Sequence, residues 1–147
     1  MTDLDCPFCA LVRREDPDVR EVFRNDFVIA FFPTDPATLG HTLVIPRQHV
    51  QDIWSLDEKT AAELSTSVLR LAAAIRDAVE PEGLNVIQSN GEAATQTVPH
   101  LHVHLVPRWT GDPIGRIWPP ETNYSERQKD GALEEVRDAL RSGMRSD

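Results

Sequence analysis

What this chain has little of already narrows its roles. No apolar run approaches the roughly 20 residues needed to cross a bilayer as a helix. The opening, Met1-Thr2-Asp3-Leu4-Asp5-Cys6, has neither a basic stretch nor an apolar one, so no secretory signal is expected. Positive charge is also scarce. Lys and Arg number 15 against 24 Asp and Glu, for a formal net charge of -9. Nucleic-acid polymers and anionic membranes both call for a cationic surface, so neither is expected as a partner. A small phosphate ligand stays open, because a few local donors can hold one. There are only 2 cysteines. In the reducing cytoplasm expected here, both should be thiols or metal ligands. No internal repeat, low-complexity tract or interdomain linker is visible.

What is present describes an ordinary folded domain. The 147 residues are 40% hydrophobic and 27% charged, enough for a single domain with a real core. Asp5 or Cys6 before Pro7 suits a helix start, with a short helix extending to about residues 12–14. Residues 21–24 and 27–32 read as two strands about an Asn25-Asp26 turn. Residues 42–45 read as a third strand closed by Pro46. Ser55-Leu56-Asp57-Glu58 has the capping-box pattern, and Ala61, Leu64, Val68, Leu71, Ala72, Ile75 and Val79 then recur at helical spacing. That stripe is core. Residues 84–90 suggest a fourth strand, and residues 90–97 a polar loop of small residues. Leu133, Val136 and Leu140 mark a C-terminal helix over about 127–141.

The most informative stretch is His100-Leu101-His102-Val103-His104-Leu105-Val106-Pro107-Arg108. It takes three of the chain's 5 histidines. On a strand, alternate side chains share a face, so His100, His102 and His104 are expected on one side and Leu101, Val103 and Leu105 on the other. Two uses are open. Imidazoles ligate metals, and one imidazole can act as nucleophile or base while its neighbours orient it. The preceding loop, with Asn90, Gln96 and Thr97, offers polar donors and close backbone approach for an anion. Cys6 and Cys9 form a C-x-x-C pair, which reads either as half of a zinc site or as a redox dithiol. His41 and His49 flank the third strand and, taken alone, read as loop histidines.

Taken together, these segments resemble the histidine triad family of nucleotide-binding proteins. The likeness runs in order from residue 6 to about 120. It includes Gly40-His41-Thr-Leu-Val-Ile-Pro46-Arg-Gln-His49, Asn90-Gly91-x-x-Ala94-x-Gln96-x-Val98, the three histidines, Pro107-Arg108, and Trp118-Pro119-Pro120. The resemblance implies an α+β fold, with an antiparallel sheet of about five strands, a long helix packed on it and a C-terminal helix. Residues 1–147 would form one domain, with a core at about 5–110 and an extension at 111–147. It also implies a homodimer.

The implied activity is nucleotidyl hydrolysis or transfer at the α-phosphorus of a nucleoside phosphate derivative, of phosphoramidate or dinucleoside polyphosphate type. His102 would form a covalent nucleotidyl-histidine, with no catalytic metal. His104 would assist, and Asn90, Gln96, Thr97 and His104 would bind the phosphate. Structural Zn2+ would be held by Cys6, Cys9, His49 and His100. The alternative is a nucleotide-binding regulatory module of the same fold with little turnover.

Two positions depart from the family pattern. Many members carry an aspartate for the ribose hydroxyls where this chain has Pro33, and Asp35 stands two residues further on. Thr95 replaces a glycine in the loop. If that position needs a positive φ, Thr95 is strained there.

Overall fold

The fold comes from a computed structural model, which describes residues 3–144. The chain divides into two compact units, Met1–Gly115 and Arg116–Asp147. The first opens with helix α1 (Pro7–Val12) and contains strands β1 (Arg20–Arg24), β2 (Val28–Phe32), β3 (Thr42–Pro46), β4 (Gly83–Gln88) and β5 (Val103–Arg108). Helix α2 (Glu58–Val79) lies between β3 and β4. The five strands form one antiparallel sheet in the order β1-β2-β3-β5-β4. The expected fold class is therefore the observed one.

Local chemistry explains the joints. The β1–β2 hairpin is closed by Asn25, whose Oδ1 accepts from the backbone N–H of Phe27 and of Val28 at 2.8 Å each. Helix α2 starts later than the capping-box pattern suggested. Its N-cap is Asp57, whose Oδ1 accepts from Thr60 N–H at 2.8 Å. A carboxylate cap that also suits the positive helix end takes the place offered to Ser55. Ser55 instead closes a short 3-10 turn, Ile53–Ser55.

Two apolar clusters cover the two sides of the sheet. Leu64, Leu71 and Ile75 of α2 pack with Val28, Ala30, Val44, Leu101, Val103 and Leu105. On the other side Phe8, Cys9 and Leu11 of α1 pack with Ile29, Phe31, Leu43 and Ile45. Strands β2 and β3 are thus buried on both faces, which is why they read as unbroken apolar runs. Removing a buried side chain such as Leu71 (→Ala) should cost about 2–5 kcal/mol.

The histidine run departs from the single-strand reading. The ladder begins only at Val103. His100 lies in a bend, where its N–H donates to Val98 C=O at 2.9 Å, and Leu101 N–H donates to Val50 C=O at 2.6 Å. His100 is therefore released from the strand's alternation. Thr95 does take the left-handed conformation that glycine favours, at φ 67°.

The second unit contains α3 (Glu126–Met144). Leu133, Val136 and Leu140 are exposed along it, and Glu126–Lys129, Glu134–Arg137 and Asp138–Arg141 pairs brace its turns. Among the described residues no helix is long and apolar enough to cross a membrane.

Candidate active site and metal centre

Strand register sets out the site. Phe31 pairs with Leu43, and Leu43 pairs with His104. Directly opposed residues of a sheet share a face, so Phe31, Leu43 and His104 form a row. They line a cleft of about 500 Å³ together with His41, Thr97 and His102. Phe8 and Leu11 of α1 wall it, and Asp16, Asp18 and Asp35 stand at it as carboxylates.

The hydrogen bonds assign the protons on each ring. His102 Nδ1 lies 2.8 Å from His100 C=O. A carbonyl only accepts, so Nδ1 carries the proton and Nε2 keeps its lone pair. Ala37 N–H donates to His41 Nδ1 at 3.0 Å, so neutral His41 carries its proton on Nε2. That nitrogen lies 2.9 Å from His104 Nδ1. His104 must accept there, which leaves its own Nε2–H as a donor. Of the three histidines lining the cleft, His102 and His104 thus differ in character: His102 offers a lone pair and His104 an N–H hydrogen-bond donor.

Burial supports the neutral forms. It lowers the pKa of His41 and of His102 below the usual histidine value of 6.5. His104 falls to about 4, through burial first and then repulsion from His102 and His41. The Phe8 ring meets His102 edge-on at 5.3 Å and His100 at 5.8 Å, which fixes both imidazoles from the α1 side.

His100 faces a different group. Its Nε2–H donates to Pro46 C=O at 2.9 Å, leaving Nδ1 bare. That nitrogen lies 3.4 Å from Cys6 Sγ and 3.6 Å from Cys9 Sγ, while His49 Nδ1 lies 3.2 Å from Cys9 Sγ. All four donor atoms fall within 4.8 Å of one another. A tetrahedral zinc with ordinary Zn–S and Zn–N lengths would put sulfur and nitrogen about 3.6 Å apart. The donor set therefore fits such an ion in both chemistry and spacing. Without a cation, burial and the neighbouring Cys6 push the Cys9 thiol up to about 12. A divalent ion reverses that preference.

Asn90 and Gln96 do not line the cleft. Asn90 Oδ1 accepts from Ile53 N–H at 2.7 Å and from Gln88 Nε2 at 2.8 Å. Gln96 Oε1 accepts from Gly91 N–H at 2.8 Å, and its Nε2 donates to Gln51 C=O at 2.8 Å. Both side chains tie the loop to the segment at residues 51–53, and Thr97 at its end reaches the cleft. Sequence reasoning, taking His41 alone, read it as a loop histidine, and it overlooked Phe8. Phe8 could have been noticed as the apolar residue between the cysteines. The carbonyls of His100 and Pro46 leave no trace in residue type.

An antiparallel α+β domain with a paired-histidine cleft beside a Cys2His2 cluster defines a narrow class of protein. Comparison with known proteins gives its family. The HIT domain family model matches residues 13–111. The protein hit of Bacillus subtilis is 38% identical over 115 residues, covering 78% of this chain and 79% of that one. The adenosine 5'-monophosphoramidase hnt1 of Schizosaccharomyces pombe is 32% identical over 117 residues, covering 79% and 84%. A zinc-bound histidine triad family protein from Mycobacterium smegmatis has a crystal structure that aligns with a TM-score of 0.72 at 31% identity, over 99% of this chain and 100% of that one. This chain belongs to the HIT, or histidine triad, family.

Proposed function

We propose that this protein is a nucleotidyl hydrolase or transferase working at the α-phosphorus of a nucleoside phosphate derivative. The observation that carries the reading is the bare Nε2 of His102, set by the 2.8 Å bond from Nδ1 to His100 C=O and directed away from that bond. In the first step Nε2 attacks phosphorus and the bond to the leaving group breaks. The leaving group takes its proton from water, while the Nε2–H of neutral His104 hydrogen-bonds to it without being transferred. In the second step water attacks the same phosphorus and gives up a proton to solvent, the P–N bond breaks, and a nucleoside monophosphate leaves while His102 recovers its Nε2 lone pair and keeps its Nδ1 proton. Hydrolysis of a phosphoramidate or of a dinucleoside polyphosphate follows the same course, since both present the same phosphorus. The monophosphoramidase activity of the hnt1 relative favours the phosphoramidate.

His41 acts through His104 by fixing its tautomer. Charge on the phosphoryl oxygens is met by Thr97 and His104. Asn90 and Gln96 contribute by holding the loop that presents Thr97. Cys6, Cys9, His49 and His100 would hold structural zinc, a closed set of four donors that leaves no position for substrate. Its effect would be to tie α1, and so Phe8, to the segment before β5.

The test is mass spectrometry of the protein mixed with adenosine 5'-phosphoramidate and quenched in alkali, which spares a phosphorus–nitrogen bond. A nucleotidyl adduct is expected on His102, and His102→Ala should lack it and lose at least about 10³-fold in kcat. Nucleotide binding with neither adduct nor turnover would leave the second reading, a regulatory binding module.

A further inference from the structure

The cluster of Cys6, Cys9, His49 and His100 has one side open to water, and a carboxylate stands there. Resting on the reading of these four residues as zinc ligands, we propose that Asp3 is the entry residue of the metal site. Its carboxylate captures the incoming divalent cation and passes it inward, and it is not a ligand in the finished site.

Burial sets the route. Cys6, Cys9 and His100 are buried, and His49 alone of the four keeps some exposure, at 17% of its side chain. A cation arriving from solvent therefore meets His49 first. Asp3 Oδ1 lies 3.8 Å from His49 Nδ1, and the Asp3 side chain is 72% exposed. The same Nδ1 lies 3.2 Å from Cys9 Sγ. Asp3 thus stands beside the nitrogen that turns toward the cluster. A carboxylate that orients a metal-bound histidine bonds the other ring nitrogen, so that task does not fit Asp3. At 3.8 Å the pair is also too long for a hydrogen bond.

Placement and charge both suit capture. Asp3 C=O accepts from Arg13 Nη1 at 3.1 Å, which fixes the residue against the end of α1. The Arg13 guanidinium is itself paired with both carboxylate oxygens of Glu15, at 2.7 and 3.0 Å, which offsets its repulsion of a cation. A carboxylate oxygen is a hard donor able to replace water on a divalent ion. Free thiols are neutral at pH 7, so Asp3 supplies the negative charge that the cysteines lack when the ion arrives. As the two zinc–sulfur bonds form, the two S–H bonds break and both protons leave to water. Two thiolates then balance the dication. The finished site is neutral and closed by four donors, with no net charge for Asp3 to attract. Asp3 therefore lowers the barrier between free and bound metal and leaves the difference between them unchanged.

The experiment takes the full-length protein, reduced and freed of metal, and follows uptake of cobalt(II) by stopped-flow absorbance, since that ion is coloured in a tetrahedral thiolate site. Zinc affinity is measured beside it by competition with a chelator. Asp3→Asn should slow uptake by about five-fold or more. Its dissociation constant should stay within about two-fold of wild type, so that release slows equally. Asp3→Glu should restore the wild-type rate. Asp26→Asn removes the same charge at the β1–β2 turn and should leave uptake unchanged. An unaltered thermal midpoint of zinc-loaded Asp3→Asn shows that the variant site is intact. The proposal is overturned if Asp3→Asn takes up the ion at the wild-type rate, if it weakens affinity as much as it slows uptake, or if Asp26→Asn slows uptake equally. Any of these results leaves the four-ligand site standing, because wild type still binds the metal. Failure of wild type to bind either cobalt or zinc would overturn both.

Discussion

Single residues here act mainly by deciding where a proton sits. His102 and His104 are chemically identical, and different partners at Nδ1 make one a nucleophile candidate and the other a donor. His41→Ala should therefore lower turnover by allowing the wrong His104 tautomer, while nucleotide affinity stays within about two-fold; single-turnover kinetics beside calorimetry will separate the two. Gly40 shows how tightly the same region is held. Its φ is +94°, and an added Cβ would lie 3.3 Å from Pro107 Cγ and 3.5 Å from a Val79 methyl. Gly40→Ala should cost about 1–3 kcal/mol, read from the denaturation midpoint. Thr95, at φ 67°, already bears a strain of that kind in a loop with more room.

At the scale of elements, the two helices of the first unit have separate tasks. Helix α2 is a packing element, and its polar Thr60 and Ser67 are accommodated in an otherwise apolar seam. Helix α1 has only six residues, too few to be stable alone. It stays in place through Phe8, Cys9 and Leu11 and, in the proposed holoprotein, through the metal. Chelation should lower the thermal midpoint by about 5 °C or more and slow adduct formation, because Phe8 loosens from His102; zinc should restore both. A Cys9→Ser variant should show the lowered midpoint without chelator. The 3.6-residue period of α2 was fully legible, whereas its first turn was not. Asp57 and Ser55 are both good caps, and only the 3-10 turn at 53–55 decides between them.

At the scale of the whole molecule, burial of histidine ties stability to pH. The His104 pKa is about 4 in the folded chain against 6.5 ordinarily, so between those values the unfolded chain binds the extra proton. The stabilising contribution is fully present above pH 6.5 and is lost as pH falls toward 4. The urea midpoint should drop over that window, and His104→Gln should flatten the drop. The sheet ends at β1 and β4; Val86 on β4 is exposed, and Leu69 on α2 lines a groove with Ala72, Ala73, Leu84, Arg76 and Glu82. A homodimer, which the resemblance to the family implies, is tested at the exposed Val86 of the β4 edge. Light scattering should then give twice the chain mass, and Val86→Lys should reduce it to the monomer. The sequence by itself determined the α+β class, the long helix, the twice-buried strands and the identity of the chemistry-bearing residues, because those depend on periodicity and side-chain type. Only the tertiary structure decided that His100 leaves the alternation to face two cysteines, that His41 reaches His104, and that Gln96 and Asn90 bond to the backbone at Gln51 and Ile53. Those outcomes depend on backbone carbonyls and amides brought together across the fold, and every residue type carries the same ones.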